Sequence, residues 1–123
     1  NARLDRYVVQ DLNQQTTLPF AEAAFDSALI CVSIDYLVRP SAVLRELGRV
    51  VKPGGVLVVT FSNRCFPTKA VGPWLHLDDA GHLDFVGARI RAAQTWTDIT
   101  TLDRSPPSGD PLFAVVAYRR AQT

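Results

Sequence analysis

Leu44-Arg45-Glu46-Leu47-Gly48-Arg49-Val50-Val51-Lys52-Pro53-Gly54-Gly55-Val56-Leu57-Val58-Val59-Thr60-Phe61 contains a helix, its stop signal and the strand that follows. Upstream, Pro40 suits a first helical turn. Val43, Leu44, Leu47, Val50 and Val51 recur at helical spacing, with Arg45, Glu46 and Arg49 on the other face. Lys52-Pro53-Gly54-Gly55 ends the helix with a cation, a proline and paired glycines. Val56 to Phe61 is then a continuous apolar run, as in a strand covered on both faces. Phe25 to Val32 reads the same way on the other side of the helix. A strand, a helix and a strand in that order predict a parallel pair joined by a helical crossover.

Working outward, Tyr7-Val8-Val9 predicts a short first strand that ends in the polar loop Gln10 to Asn13. Leu18-Pro19-Phe20 forms an extended apolar anchor within a loop, because the residue before proline disfavours helix. A second helical region spans 69–93, divided at Gly72-Pro73 and Gly81. Trp96 to Leu102 predicts a fourth strand and Leu112 to Tyr118 a fifth, antiparallel to it across the turn Pro106-Pro107-Ser108-Gly109. The fold class is therefore α/β: a mostly parallel sheet with a C-terminal antiparallel hairpin and helices on its faces. All of 1–123 is expected to form one domain.

The 123 residues are 47% hydrophobic and 20% charged, with 13 basic and 12 acidic side chains and a net charge of +1. That balance excludes a disordered tail, a collagen-like array and a disulfide mini-protein. It also lacks the basic excess expected of a protein that grips a nucleic-acid backbone. Two cysteines are too few for a disulfide framework, and Cys31 lies in an apolar run where it reads as a small buried hydrophobe. A reducing, cytoplasmic setting is expected. No apolar stretch reaches the roughly 18 residues of a membrane helix. The chain opens on Asn1 without a signal sequence. Cys31, Cys65, His76 and His82 lack zinc-ligand spacing, so no metal is expected, and the two histidines read as surface residues of an amphipathic helix. No G-x-S-x-G, P-loop or H-E-x-x-H motif is present.

Four features occur in order: a strand ending in Asp11-Leu12, Leu18-Pro19-Phe20 followed by Phe25-Asp26, the helix with Leu44-Arg45-Glu46-Leu47 and Arg49-Val50, and Lys52-Pro53-Gly54-Gly55 before an apolar strand. Together they resemble the downstream two-thirds of the class I S-adenosylmethionine-dependent methyltransferases, in the small-molecule branch. The resemblance implies a partial Rossmann-like methyltransferase sheet and S-adenosylmethionine as cofactor. It implies that Asp11 accepts a hydrogen bond from the adenine amine while the Leu12 N–H faces a ring nitrogen. Read from residues alone, Asp11 equally caps its own turn. Cys31, Val32 and Ser33 would pass beneath the methionine part, or simply end a buried strand. Asp35 and Tyr36 fall where relatives face the transferred methyl group, so Asp35 is a candidate general base, with a helix-capping role as the alternative. Ser62, Asn63 and Arg64 form a donor-rich loop at the acceptor rim, where Arg64 either pairs with a substrate anion or is solvated.

The departures from the family pattern are as informative as the matches. All seven glycines lie beyond residue 47, so the glycine-rich cofactor loop and the ribose-binding acidic residue are absent. With the family's sheet order of 3-2-1-4-5-7-6, the strand Phe25 to Val32 would lose its inner neighbour. Either the strand at Tyr7 to Val9 shifts to pair with it, or copies of the chain join edge to edge as a homo-oligomer. Two function classes follow. One is a methyltransferase acting on a small-molecule acceptor and incomplete as this chain. The other is a non-catalytic module acting in self-association or partner binding. Neither nucleic acid nor a membrane is expected as a partner.

Overall fold

A computed structural model describes residues 8–31, 34–62, 79–108 and 112–121. Within them, β1 (Phe25–Cys31) leads through a 3₁₀ turn (Ile34–Tyr36) to α1 (Pro40–Val50), which passes directly into β2 (Val51–Phe61). After α2 (Asp79–Ala92), β3 (Trp96–Asp103) and β4 (Phe113–Arg119) form the hairpin. The sheet order is β1-β2-β4-β3, with β1 and β2 parallel and the other two ladders antiparallel. This is the order the family resemblance implies for its last four strands. Among the described residues the parallel character is confined to the pair β1–β2.

The Lys52-Pro53-Gly54-Gly55 segment does more than stop a helix. Phe25 pairs with Val51 and Ser27 with Val56, so four residues bulge out between two points of one ladder. Gly54 sits at φ +82°, where an L side chain is strained. At Gly55 an added Cβ would lie 2.6 Å from the Asp26 carbonyl oxygen and 2.8 Å from that of Lys52. The paired glycines thus let the chain leave α1, bulge, and return to the ladder within a few residues.

One face of the sheet carries the core. Ala28 and Ile30 align with Leu57 and Val59, and these with Ala117 and Val115; Phe61 aligns with Phe113. Leu44 and Val50 of α1 and Val86 and Ile90 of α2 join the same buried cluster, so both described helices pack on this face. Trp96, 1% exposed, fills the space beneath α1 and donates its indole N–H to the Leu44 carbonyl at 3.0 Å. The opposite face is also apolar, yet Leu29 is 65% and Tyr118 43% exposed.

Several expectations require correction. Val8 and Val9 form no strand, and Val9 is 94% exposed; Tyr7 lies outside the described residues. No described strand lies along the free edge of β1 to supply the ladder those valines would need. The apolar run from Phe25 is covered on one face only, which leaves Cys31 exposed rather than buried. Glu46 and Arg49 lie on the face of α1 away from the apolar positions, and the loop partly covers them, as shown below. Gly81 lies inside α2 rather than dividing it. His82 is buried with its ring 6.4 Å from that of Phe61, edge to face, because α2 turns that side toward the sheet. His76, Cys65 and the first part of the second helical region lie outside the described residues.

Replacing Gly55 with alanine forces a Cβ against two backbone oxygens that cannot rotate away. The expected loss is about 2 kcal/mol or more in chemical denaturation. Gly54→Ala, strained but unobstructed, costs about 1 kcal/mol.

Candidate functional site

Ligands of open α/β sheets bind beyond the carboxyl ends of the strands. Here that end is formed by the first part of the loop 8–24, which meets the turn after β1, and by Ser62 after β2. The loop has no described sheet partner, so side chains hold many of its backbone groups, while Ala23 N–H donates to the Arg49 carbonyl at 2.9 Å. Gln10 donates through Nε2 to the carbonyls of Gln15 and Thr17 at 2.9 and 2.8 Å. Asp11 accepts the Asn13 N–H on Oδ1 at 2.9 Å, while its carbonyl accepts the amides of Gln14 and Gln15. The turn-capping role of Asp11 is therefore present. Its second carboxylate oxygen has no partner among the described residues, and the side chain is exposed, so capping and ligand recognition are compatible.

Asn13 latches this loop to the turn that follows β1. Its Nδ2 donates to the Tyr36 carbonyl at 3.0 Å, its Oδ1 accepts from the Val38 N–H at 2.9 Å, and its carbonyl accepts from the Arg39 guanidinium at 3.0 Å. The sequence reading missed this residue. Its partners are 23 to 26 positions away, and no local pattern announces them.

A second clamp lies behind the first. Glu46 accepts the Leu18 N–H at 2.5 Å and pairs with Arg49 at 2.8 Å, and Arg49 returns a bond to the Leu18 carbonyl at 3.1 Å. One ion pair on α1 thus satisfies both backbone groups of a residue in the loop. The Arg49 hydrogen bond is the main cause holding the Glu46 carboxyl below its ordinary value; burial opposes the shift and the Leu18 amide adds to it.

Held this way, the loop closes an apolar cavity of about 200 Å³ against β1 and α1. Leu12 and Leu18 line it from the loop, Ile30 and Cys31 from β1, Leu37 from the turn and Leu47 from α1. Leu12 and Cys31, singled out separately in the sequence, line the same cavity, and Asp11 precedes Leu12 in the chain. Tyr36 is half-buried in the 3₁₀ turn, latched through its carbonyl. Ser62 follows β2, two residues past Thr60, the register partner of Cys31. Val32, Ser33, Asn63 and Arg64 lie outside the described residues, as does the side chain of Asp35.

Residues 1–59 match a family described as a methyltransferase domain. The chain is 46% identical over 57 residues to a demethylmenaquinone methyltransferase of Mycolicibacterium vanbaalenii, an alignment spanning 43% of this chain and 25% of that protein. It is 44% identical over 55 residues to one of Mycobacterium marinum, spanning 45% and 24%. The chain therefore spans about a quarter of the length of these relatives. Among solved structures, the [4+2]-cyclase SpnF superposes with a TM-score of 0.65 at 18% identity, over 87% of this chain and 55% of that one. An S-adenosylmethionine-dependent methyltransferase from Thermotoga maritima, described as a possible histamine N-methyltransferase, gives 0.60 at 19% identity, over 86% and 60%. At such identities the structural likeness shows the fold, and a fold shared with a cyclase does not fix a reaction.

The Glu46 clamp gives the loop a pH dependence. A carboxyl lowered on folding contributes stability that is complete above its ordinary value of 4.5 and is lost as pH falls through the lower folded value. Glu46→Gln is expected to cost about 1–2 kcal/mol at neutral pH. The gap from the parent chain should narrow below pH 4.5 in urea titrations run across that range.

Proposed function

We propose, on the premise that this chain carries the class I S-adenosylmethionine-dependent methyltransferase fold and matches the methyltransferase-domain family over its first 59 residues, that it supplies the adenine-binding half of a small-molecule methyltransferase site. The observation that supports this reading is the apolar cavity lined by Leu12, the residue that follows Asp11. A purine ring has two apolar faces and a polar edge. The cavity offers Leu12, Leu18, Ile30 and Leu47 to the faces, and Asp11 keeps one oxygen open for an edge amine. The residues present fit the adenine end of the cofactor. No glycine precedes Gly48 in the sequence, so a glycine loop for its amino-acid end would come from outside these residues.

When bound, S-adenosylmethionine supplies an electrophilic methyl group on a sulfonium. The chain's own contribution is orientation. Cys31, Val32 and Ser33 would hold the methionine part, Asp35 would serve as general base toward the acceptor, and Tyr36 would help position the transferred methyl group. Ser62, Asn63 and Arg64 would bind the acceptor. In this reading 1–123 is the C-terminal two-thirds of a methyltransferase domain working in a reducing, cytoplasmic setting on a small molecule rather than a nucleic acid or membrane. The demethylmenaquinone of the named relatives is the acceptor chemistry to try first. Among the described residues no helix is long and apolar enough to cross a membrane.

A second reading, self-association, is favoured by the sheet edge. β1 pairs with β2 on one side and with no described strand on the other, and Leu29 on the same strand is 65% exposed. Two copies joined along β1 would satisfy that edge.

Calorimetric titration with S-adenosylhomocysteine tests the first reading. Asp11→Asn keeps an oxygen to cap the turn and presents a donor where the adenine amine needs an acceptor, so affinity should fall about tenfold. Binding unchanged by the substitution, or no binding by the parent chain, counts against the adenine site. For the second reading, sedimentation velocity should show concentration-dependent dimers that Ser27→Lys, a charge on the exposed edge strand, returns to monomers. A parent chain that stays monomeric at high concentration counts against it.

A further inference from the structure

The other end of the sheet holds a larger and chemically different cavity, of about 440 Å³. β1, β2 and β3 run in the same direction, so the start of each, together with the end of β4, meets there. Glu22, Arg45, Arg49, Thr95 and Arg119 are among its lining residues. Three arginines thus line it from two elements, Arg45 and Arg49 one turn apart on α1 and Arg119 from the end of β4.

The protein's own contacts use only part of these groups. Arg49 spends Nε and Nη2 on Glu46 and the Leu18 carbonyl. Arg119 donates through Nε to the Gly48 carbonyl and through Nη1 to that of Arg120. Nη1 of Arg49, Nη2 of Arg119 and the whole Arg45 guanidinium have no partner among the described residues. Glu22 is the carboxylate in the lining, and Glu46 faces Arg49; against three cations the two acids leave one net positive charge. Thr95 donates its hydroxyl to the Ala93 carbonyl and brings no free donor.

We propose that this cavity binds a phosphate-bearing small molecule, with the phosphate oxygens bridged by Arg45, Arg49 and Arg119. A tetrahedral oxyanion presents several acceptors in different directions, which suits guanidinium edges arriving from a helix and from a strand end. The cavity is wide enough for more than a bare ion, so a diphosphate or phosphomonoester fits better than chloride. It lies at the opposite end of the strands from the Asp11 cavity. Its ligand is therefore neither methyl donor nor methyl acceptor, and the inference stands apart from the proposed function.

The test is titration of the 123-residue chain with inorganic phosphate and pyrophosphate, at ionic strength held constant with chloride. Thermal midpoint and amide resonances are the readouts. Pyrophosphate should raise the midpoint saturably and shift the amides of Arg45, Thr95 and Arg119 while leaving those of Leu12 and Cys31 in place. Arg45→Ala, which removes no hydrogen bond or ion pair among the described residues, should weaken binding at least fivefold, and Glu22→Gln should tighten it. Arg45→Lys, which keeps the charge and loses the fork, should fall between. An equal midpoint rise with chloride, amide shifts elsewhere, or binding indifferent to Arg45→Ala overturns the proposal.

Discussion

The ion pair between Glu46 and Arg49 carries a load that ordinary surface pairs do not. It holds Leu18 by both backbone groups, and Leu18 is one wall of the cavity that Leu12 and Cys31 share. A segment beside a sheet usually satisfies its amides by joining the ladder. Residues 8–24 have no ladder in the described structure, so side chains take over: Gln10 within the loop, Asn13 onto the turn after β1, and Glu46 with Arg49 onto α1. Charge-assisted bonds to backbone groups are worth more than neutral ones, and these are largely shielded from water. The position of Asp11, and with it the adenine reading, rests on these contacts.

The two faces of the sheet set the energetics. On one, Leu57, Val59, Phe61 and Val115 are almost fully buried beneath α1 and α2, with Trp96 closing the end. On the other, Leu29 and Tyr118 remain open although the sequence there is just as apolar. Apolar area left in water forgoes roughly 25 cal/mol per Å² of stabilisation, and exposed patches of this kind commonly mark interaction surfaces. The edge of β1 that no described strand pairs lies beside that face, so an unpartnered ladder edge and uncovered side chains occur together among the described residues.

The two proposed sites lie at opposite ends of the strand axis. The carboxyl end of β1 borders an apolar cavity, and Leu12 in its lining follows Asp11, which keeps one carboxylate oxygen without a partner among the described residues, chemistry suited to a purine. The opposite end presents guanidinium edges around a wider cavity, chemistry suited to an oxyanion. α1 serves both, because Leu47 faces one cavity while Arg45 faces the other and Arg49 reaches across to Leu18.

The periodicity from Val43 to Val50, the Lys52-Pro53-Gly54-Gly55 stop and the apolar run to Phe61 determined α1, β2 and their connection, since each signal is local and spans one element. The hairpin of β3 and β4 was legible for the same reason, and the order of Asp11-Leu12, the helix motif and the paired glycines identified the fold. What the sequence could not determine is which apolar residues are covered. Val9, Leu29, Cys31 and Ile30 look alike in sequence, and only the placement of α1, α2 and β2 exposes the first three and buries the last. Asn13 acts through partners 23 to 26 residues away, Glu46 through one 28 away, and the arginine cavity joins positions 45 and 119. Such meetings depend on where whole elements pack, and short-range patterns of residue type contain no record of that packing.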